Sequence, residues 1–168
     1  ISWCISIEII GSIALAFAWS NGVEFRTLGD RVFSSVFHSV SAFNNAGITL
    51  FTDGLAHASV STNWAAHWVV TILVFIGALG MVALFDIFEP IKLRERKAAP
   101  WKGFGFATKI ALYFSLILVA IGAISFAVLE WHGVMDGMSL YGKFTTSIFQ
   151  SVTRTSGFNT IDIGSVGI

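Results

Sequence analysis

Apolar positions in this chain fall into long runs holding almost nothing polar, and short runs in which they alternate with serine and threonine. Residues 1–19 are apolar apart from Ser2, Ser6, Glu8 and Ser12. At 1.5 Å per residue about 20 such residues cross the hydrocarbon of a bilayer, so 1–19 predicts a membrane span. Residues 67–88 and 110–129 predict two more, the first carrying Gly77 and Gly80 where a second helix can approach closely. The short runs behave differently. Over 32–44, Val32, Val36, Val40 and Phe33, Phe37 recur at helical spacing with serines between them, and 144–153 has the same character. Both are too short to cross and predict half-helices.

Each half-helix runs into a small-residue turn centred on a glycine. Phe37-His38-Ser39-Val40-Ser41-Ala42-Phe43-Asn44-Asn45-Ala46-Gly47-Ile48-Thr49 returns in altered form as Phe149-Gln150-Ser151-Val152-Thr153-Arg154-Thr155-Ser156-Gly157-Phe158-Asn159-Thr160. Irregular backbone at membrane depth cannot face lipid, because each unpaired amide or carbonyl there costs several kcal/mol. It must be packed in protein or line a watery path, and a row of carbonyls around an ion is one use of it. The order along the chain is therefore span, half-helix, turn, span, connecting loop, span, half-helix, turn. The expected fold is an all-α membrane protein of repeated span, half-helix, turn and span units, 1–88 and 110–168, the second lacking its closing span. The two ends of the chain lead to the expectation of a fragment of a longer protein.

Composition sharpens this picture. Of 168 residues, 55% are hydrophobic and 12% charged, the mean hydropathy is +0.77 and the net charge is zero. A soluble domain carries about twice that charged fraction, and nucleic acid finds no basic footprint here. Six of the ten basic residues, Lys92, Arg94, Arg96, Lys97, Lys102 and Lys109, lie in 89–109. The excess of positive charge on the inner side predicts that this loop is cytoplasmic, so both turns open from the outside. Cys4 has no partner for an intrachain disulfide and reads as a small buried hydrophobe.

The paired loops, from Ser39 to Gly47 and from Ser151 to Thr160, resemble the second and third pore loops of the Trk/Ktr/HKT superfamily of potassium transporters. The resemblance extends over the spans and loop lengths and implies four such repeats around one pore. It implies that Asn45, Ala46, Gly47 and Ile48 form one filter strand and Thr155, Ser156, Gly157 and Phe158 another, with main-chain carbonyls facing a potassium ion. It also implies potassium uptake across the cell membrane, a homodimer and, in bacterial members, a cytoplasmic nucleotide-binding regulatory subunit. Physical reasoning accords with it, since carbonyls replace water around a cation without burying formal charge.

Several polar residues carry their own expectations. Asp53 and Asp162, just past the turns, would draw cations to an outer vestibule. Arg154 is expected to point away from the ion path and brace its loop by pairing with a carboxylate. His38 and Gln150 occupy matching half-helix positions and are expected to pack or hydrogen-bond, as is Glu8, a carboxylate at membrane depth. An enzyme is disfavoured, because His57, His67 and Asp53 stand at no ligand spacing and no hydrolase motif occurs. A simple anchor would not need polar half-helices. The remaining alternative is a secondary transporter with broken helices for another cation such as sodium.

Overall fold

Long apolar runs without proline become helices because no other structure satisfies their backbone internally. The computed structural model describes residues 2–20, 22–99, 101 and 103–161, and these contain seven α-helices and no strand. They are α1 (Ser2–Ala18), α2 (Leu28–Phe43), α3 (Trp64–Ala78), α4 (Met81–Phe88), α5 (Pro90–Ala98), α6 (Phe106–Glu130) and α7 (Leu140–Val152). Helix α6 is the one described helix that by itself is long and apolar enough to cross a membrane, and α3 with α4 qualifies as a bent pair.

The half-helices begin earlier than their apolar pattern. Thr27 and Asp30 form a reciprocal cap, each backbone N–H donating to the other's side chain at 3.1 Å, which starts α2 at Leu28. Ser139 accepts from the Gly142 amide at 3.1 Å and starts α7 at Leu140. At the other end Asn44 closes α2, and Asn45 follows with φ of +54°, left-handed backbone that asparagine tolerates better than most side chains.

Where one straight span is expected over 67–88, the chain makes two helices meeting at 106°. Gly80 takes φ of +80° at the break, a conformation outside any helix. Gly77, by contrast, is a close approach: a β-carbon there would overlap the Phe43 carbonyl at the end of α2. Residues 89–109 also differ from the expected open loop, because Pro90 stands at the first turn of α5 and a run of good helix formers follows it. Arg96 of α5 donates to the carbonyls of Asp86 and Ile87 at the end of α4, and stands over the Phe104 ring at 4.7 Å. Asp86 in turn accepts from the Gly105 amide at 2.7 Å, so α4, α5 and the start of α6 are tied together.

Helix α3 lies at the centre. It packs on α1, α2 and α7, while α6 packs on α7 and α4. The buried core joins Leu15 of α1 and Trp19 just past it, Ala42 of α2, Val70 and Val74 of α3, and Phe149 of α7, and it includes Phe158 of the second turn. Asn63 accepts from the Ala66 amide at the start of α3 and donates to the Ala18 carbonyl, fastening α3 to the end of α1. Helices α2 and α7 thus both pack on the same helix, α3.

Two glycine turns form a candidate cation site

Serines on α2 and α7 tie each of these helices to the neighbouring long helix. Ser39 Oγ donates to the Glu8 carbonyl of α1 at 2.7 Å, and a β-carbon on Gly11 would lie 2.5 Å from that hydroxyl. The device recurs at α6 and α7. Ser151 Oγ donates to the Val119 carbonyl at 2.9 Å, and Gly122 faces Ser151 as Gly11 faces Ser39. A glycine on the span and a serine on the half-helix thus bring the backbones together twice.

The turns themselves present their backbones in one sense. Asn45 and Ala46 donate their amides back to the Ala42 and Ser41 carbonyls, and Ser156 and Gly157 donate theirs to Thr153. With the amides engaged, the carbonyls of Asn45, Ala46, Gly47, Ser156 and Gly157 accept no hydrogen bond among the described residues. Ile48 differs from its expected neighbours. Its amide and carbonyl are both held by Ser41 Oγ, at 2.9 and 2.7 Å, so its carbonyl faces the half-helix.

The two turns meet. A β-carbon on Gly47 would overlap the Ser156 carbonyl and stand 3.3 Å from the Gly157 carbonyl carbon. The side chain of Asn45 connects them further, with Oδ1 accepting from Thr155 Oγ1 at 3.1 Å and Nδ2 donating to the Val74 carbonyl of α3 at 3.5 Å. Positive φ angles of +68° at Gly47 and +82° at Gly157 turn each strand at this meeting point. Phe158, the fourth residue of the second turn, is buried in the core.

The strands after the turns are held from behind. His38 Nδ1 faces the Ser34 carbonyl at 2.8 Å, which makes that nitrogen the protonated one, and Nε2 then accepts from Thr49 Oγ1 at 3.0 Å. Gln150 Nε2 donates to Thr160 Oγ1 at 3.3 Å. Beyond them opens a polar cavity of about 850 Å³ lined by Thr49, Thr52, Asp53, Asn159 and Thr160 among others. Asp53 therefore lines a cavity beside both strands, while Asp162 lies outside the described residues.

Arg154 is exposed and lines a recess between α6 and α7 with Gly122 and Ser151, with no carboxylate in ion-pairing range among the described residues. The expected carboxylate bracing of Arg154 is thus not formed within them. Glu8 hydrogen-bonds with Asn44, whose Nδ2 donates to Oε1 at 3.0 Å. Among the described residues no three of histidine, cysteine, aspartate and glutamate come together.

The family model described as cation transport protein, TrkH, matches residues 1–167. The chain belongs to the TrkH family of cation transport proteins. Membership places it among membrane transporters. It is 34% identical over 96% of its length to the Ktr system potassium uptake protein B of Bacillus subtilis, covering 34% of that protein. It is 30% identical over 97% of its length to the protein of the same name from Vibrio alginolyticus, again covering 34% of it. To the potassium/sodium uptake protein NtpJ of Enterococcus hirae it is 30% identical, over 96% of this chain and 34% of that protein. The chain thus spans about a third of the length of these TrkH-family relatives.

Proposed function

We propose that this chain supplies two of the carbonyl-lined strands through which a TrkH-family protein takes potassium ions into the cell. The observation that carries the reading is the contact of Gly47 with Ser156, which brings two strands of unbonded carbonyls to one place. Carbonyls so arranged can replace the hydration shell of a monovalent cation. Both half-helices end at the turns, so their negative C-terminal ends add to the attraction. Asn45, Ala46, Gly47, Thr155, Ser156, Gly157 and Phe158 form the coordinating strands, and Ile48 closes the first strand by its bonds to Ser41.

In this reading the protein is a multi-pass protein of the cell membrane, with 89–109 cytoplasmic and the cavity beside Asp53 on the outside. The membrane potential then drives uptake, at about 2.3 kcal/mol per charge per 100 mV. A homodimer and a cytoplasmic nucleotide-binding regulatory subunit complete the assembly. One second reading has its own support: the 106° break between α3 and α4 accords with a secondary transporter built on broken helices, and a relative named for potassium and sodium accords with sodium as its cation.

The test is radiolabelled potassium and sodium flux into liposomes containing the full-length protein. Potassium uptake that follows an imposed potential, abolished by Gly47→Asp, is the expected result. Flux that persists at the wild-type rate in Gly47→Asp would overturn the assignment of the turns.

A further inference from the structure

A carboxylate set among Ile5, Ile9 and Ile13 on an apolar helix face is costly unless something receives it. Glu8 is received by Asn44, and the same amide nitrogen also donates to the Val40 carbonyl at 2.9 Å. Both protons of the Asn44 amide are therefore in use. One ties it to the last turn of α2 and the other to α1.

The position of Asn44 gives this pair its consequence. It is the closing residue of α2 and immediately precedes Asn45, the first residue of the glycine turn, held at φ of +54°. A carboxylate beside the C-terminal end of a helix is repelled by the carbonyls there. The neutral amide stands between the two and donates to each, so the acid and the helix end are joined only while Asn44 keeps this orientation. The Glu8 backbone is itself anchored by Ser39, so the carboxylate acts from a fixed point.

The second crossing shows what the acid adds. Val119 stands there in the place of Glu8, accepting from Ser151 as Glu8 accepts from Ser39, with no carboxylate at all. The helix crossing is thus complete without an acid, and Glu8 serves something particular to the first turn.

We propose that Glu8 is a positioning residue, orienting Asn44 so that the 45–47 carbonyls keep the geometry that distinguishes potassium from sodium. The inference rests on the cation-strand reading of the turns, and its test includes a measurement independent of transport. In the full-length protein, Glu8→Ala and Asn44→Ala should each speed amide hydrogen exchange at Asn45 and Ala46 by about tenfold, the worth of one hydrogen bond. Each should also lower the potassium-to-sodium flux ratio by about the same factor. Glu8→Gln keeps an acceptor for Asn44 and should leave both readings at wild type, and the double variant Glu8→Ala with Asn44→Ala should be no worse than either single.

Wild-type exchange in both alanine variants overturns the inference, as does additive loss in the double variant. Glu8→Gln impaired as strongly as Glu8→Ala also overturns it, because charge and not orientation would then be at work. If Glu8→Ala does not accumulate, Asn44→Ala alone decides the exchange result. A wild-type protein that carries no cation sinks the transport reading, while exchange at Asn45 and Ala46 still decides the role of Glu8.

Discussion

Gly47 lies so close against the carbonyl of Ser156 that no side chain can stand between them. Gly157 has an equally unusual φ, yet no described atom lies within 4 Å of where its β-carbon would be. The two glycines are alike in the sequence and unlike in what they meet. Adding a methyl group at Gly157 incurs only the left-handed strain of about 1–2 kcal/mol, whereas at Gly47 it also pushes the two turns apart. Gly47→Ala is therefore expected to lose potassium flux in liposomes, with Gly157→Ala keeping a measurable fraction. Equal loss in both variants would mean that strain alone matters.

His38 and Gln150 perform one task with different chemistry, each tying its half-helix to a threonine hydroxyl past the turn. A proton-relay role for His38 would require titration; a bracing role requires only reach and hydrogen bonding. His38→Gln should thus keep flux and selectivity, and His38→Ala should lose selectivity and lower stability by about 1–3 kcal/mol through the hydrogen bonds removed. Thermal unfolding together with flux for the two variants checks this, and failure of His38→Gln at the level of His38→Ala would count against bracing.

Ser41 gives one hydroxyl to both the amide and the carbonyl of Ile48. Ser41→Ala leaves that peptide pair without its partner, at a cost of about 1–3 kcal/mol. Its counterpart Thr153, which caps α7, donates back to the Phe149 carbonyl of that helix. Thr153→Val is accordingly expected to be milder than Ser41→Ala in both melting temperature and potassium-to-sodium ratio.

Much of this arrangement could be read from residue order, because half-helices announce themselves by apolar spacing and turns by glycine. What escaped was of two kinds. Thr27 and Asp30 stand at capping distance in the sequence, but the apolar pattern begins later and drew the boundary to 32. Gly77 and Gly80 look interchangeable, and only the neighbour of each separates a packing glycine, pressed on Phe43, from a helix break. The Ser39 bond to Glu8 and the Ser151 bond to Val119 join residues 31 and 32 positions apart. No local propensity reports such a pair, so the crossings that hold α2 on α1 and α7 on α6 emerge only in three dimensions.

Asp53 offers a test of the cavity at the mouth of the turns. It lines that cavity beside Thr49 and Asn159, and in the proposed function a carboxylate there raises the local concentration of cations without touching the ion path. Such attraction reaches about 10 Å at 0.1 M salt and about 3 Å at 1 M. Asp53→Asn should therefore lower potassium uptake when external potassium and ionic strength are both low, and the difference from wild type should vanish as an impermeant salt is added. A deficit that survives high salt would assign Asp53 to the loop's structure, where it precedes the 3-10 turn at Gly54–Ala56. Selectivity should remain at the wild-type value under all conditions, since in the proposed function the carbonyls that discriminate between ions are those of the turns and not of this cavity.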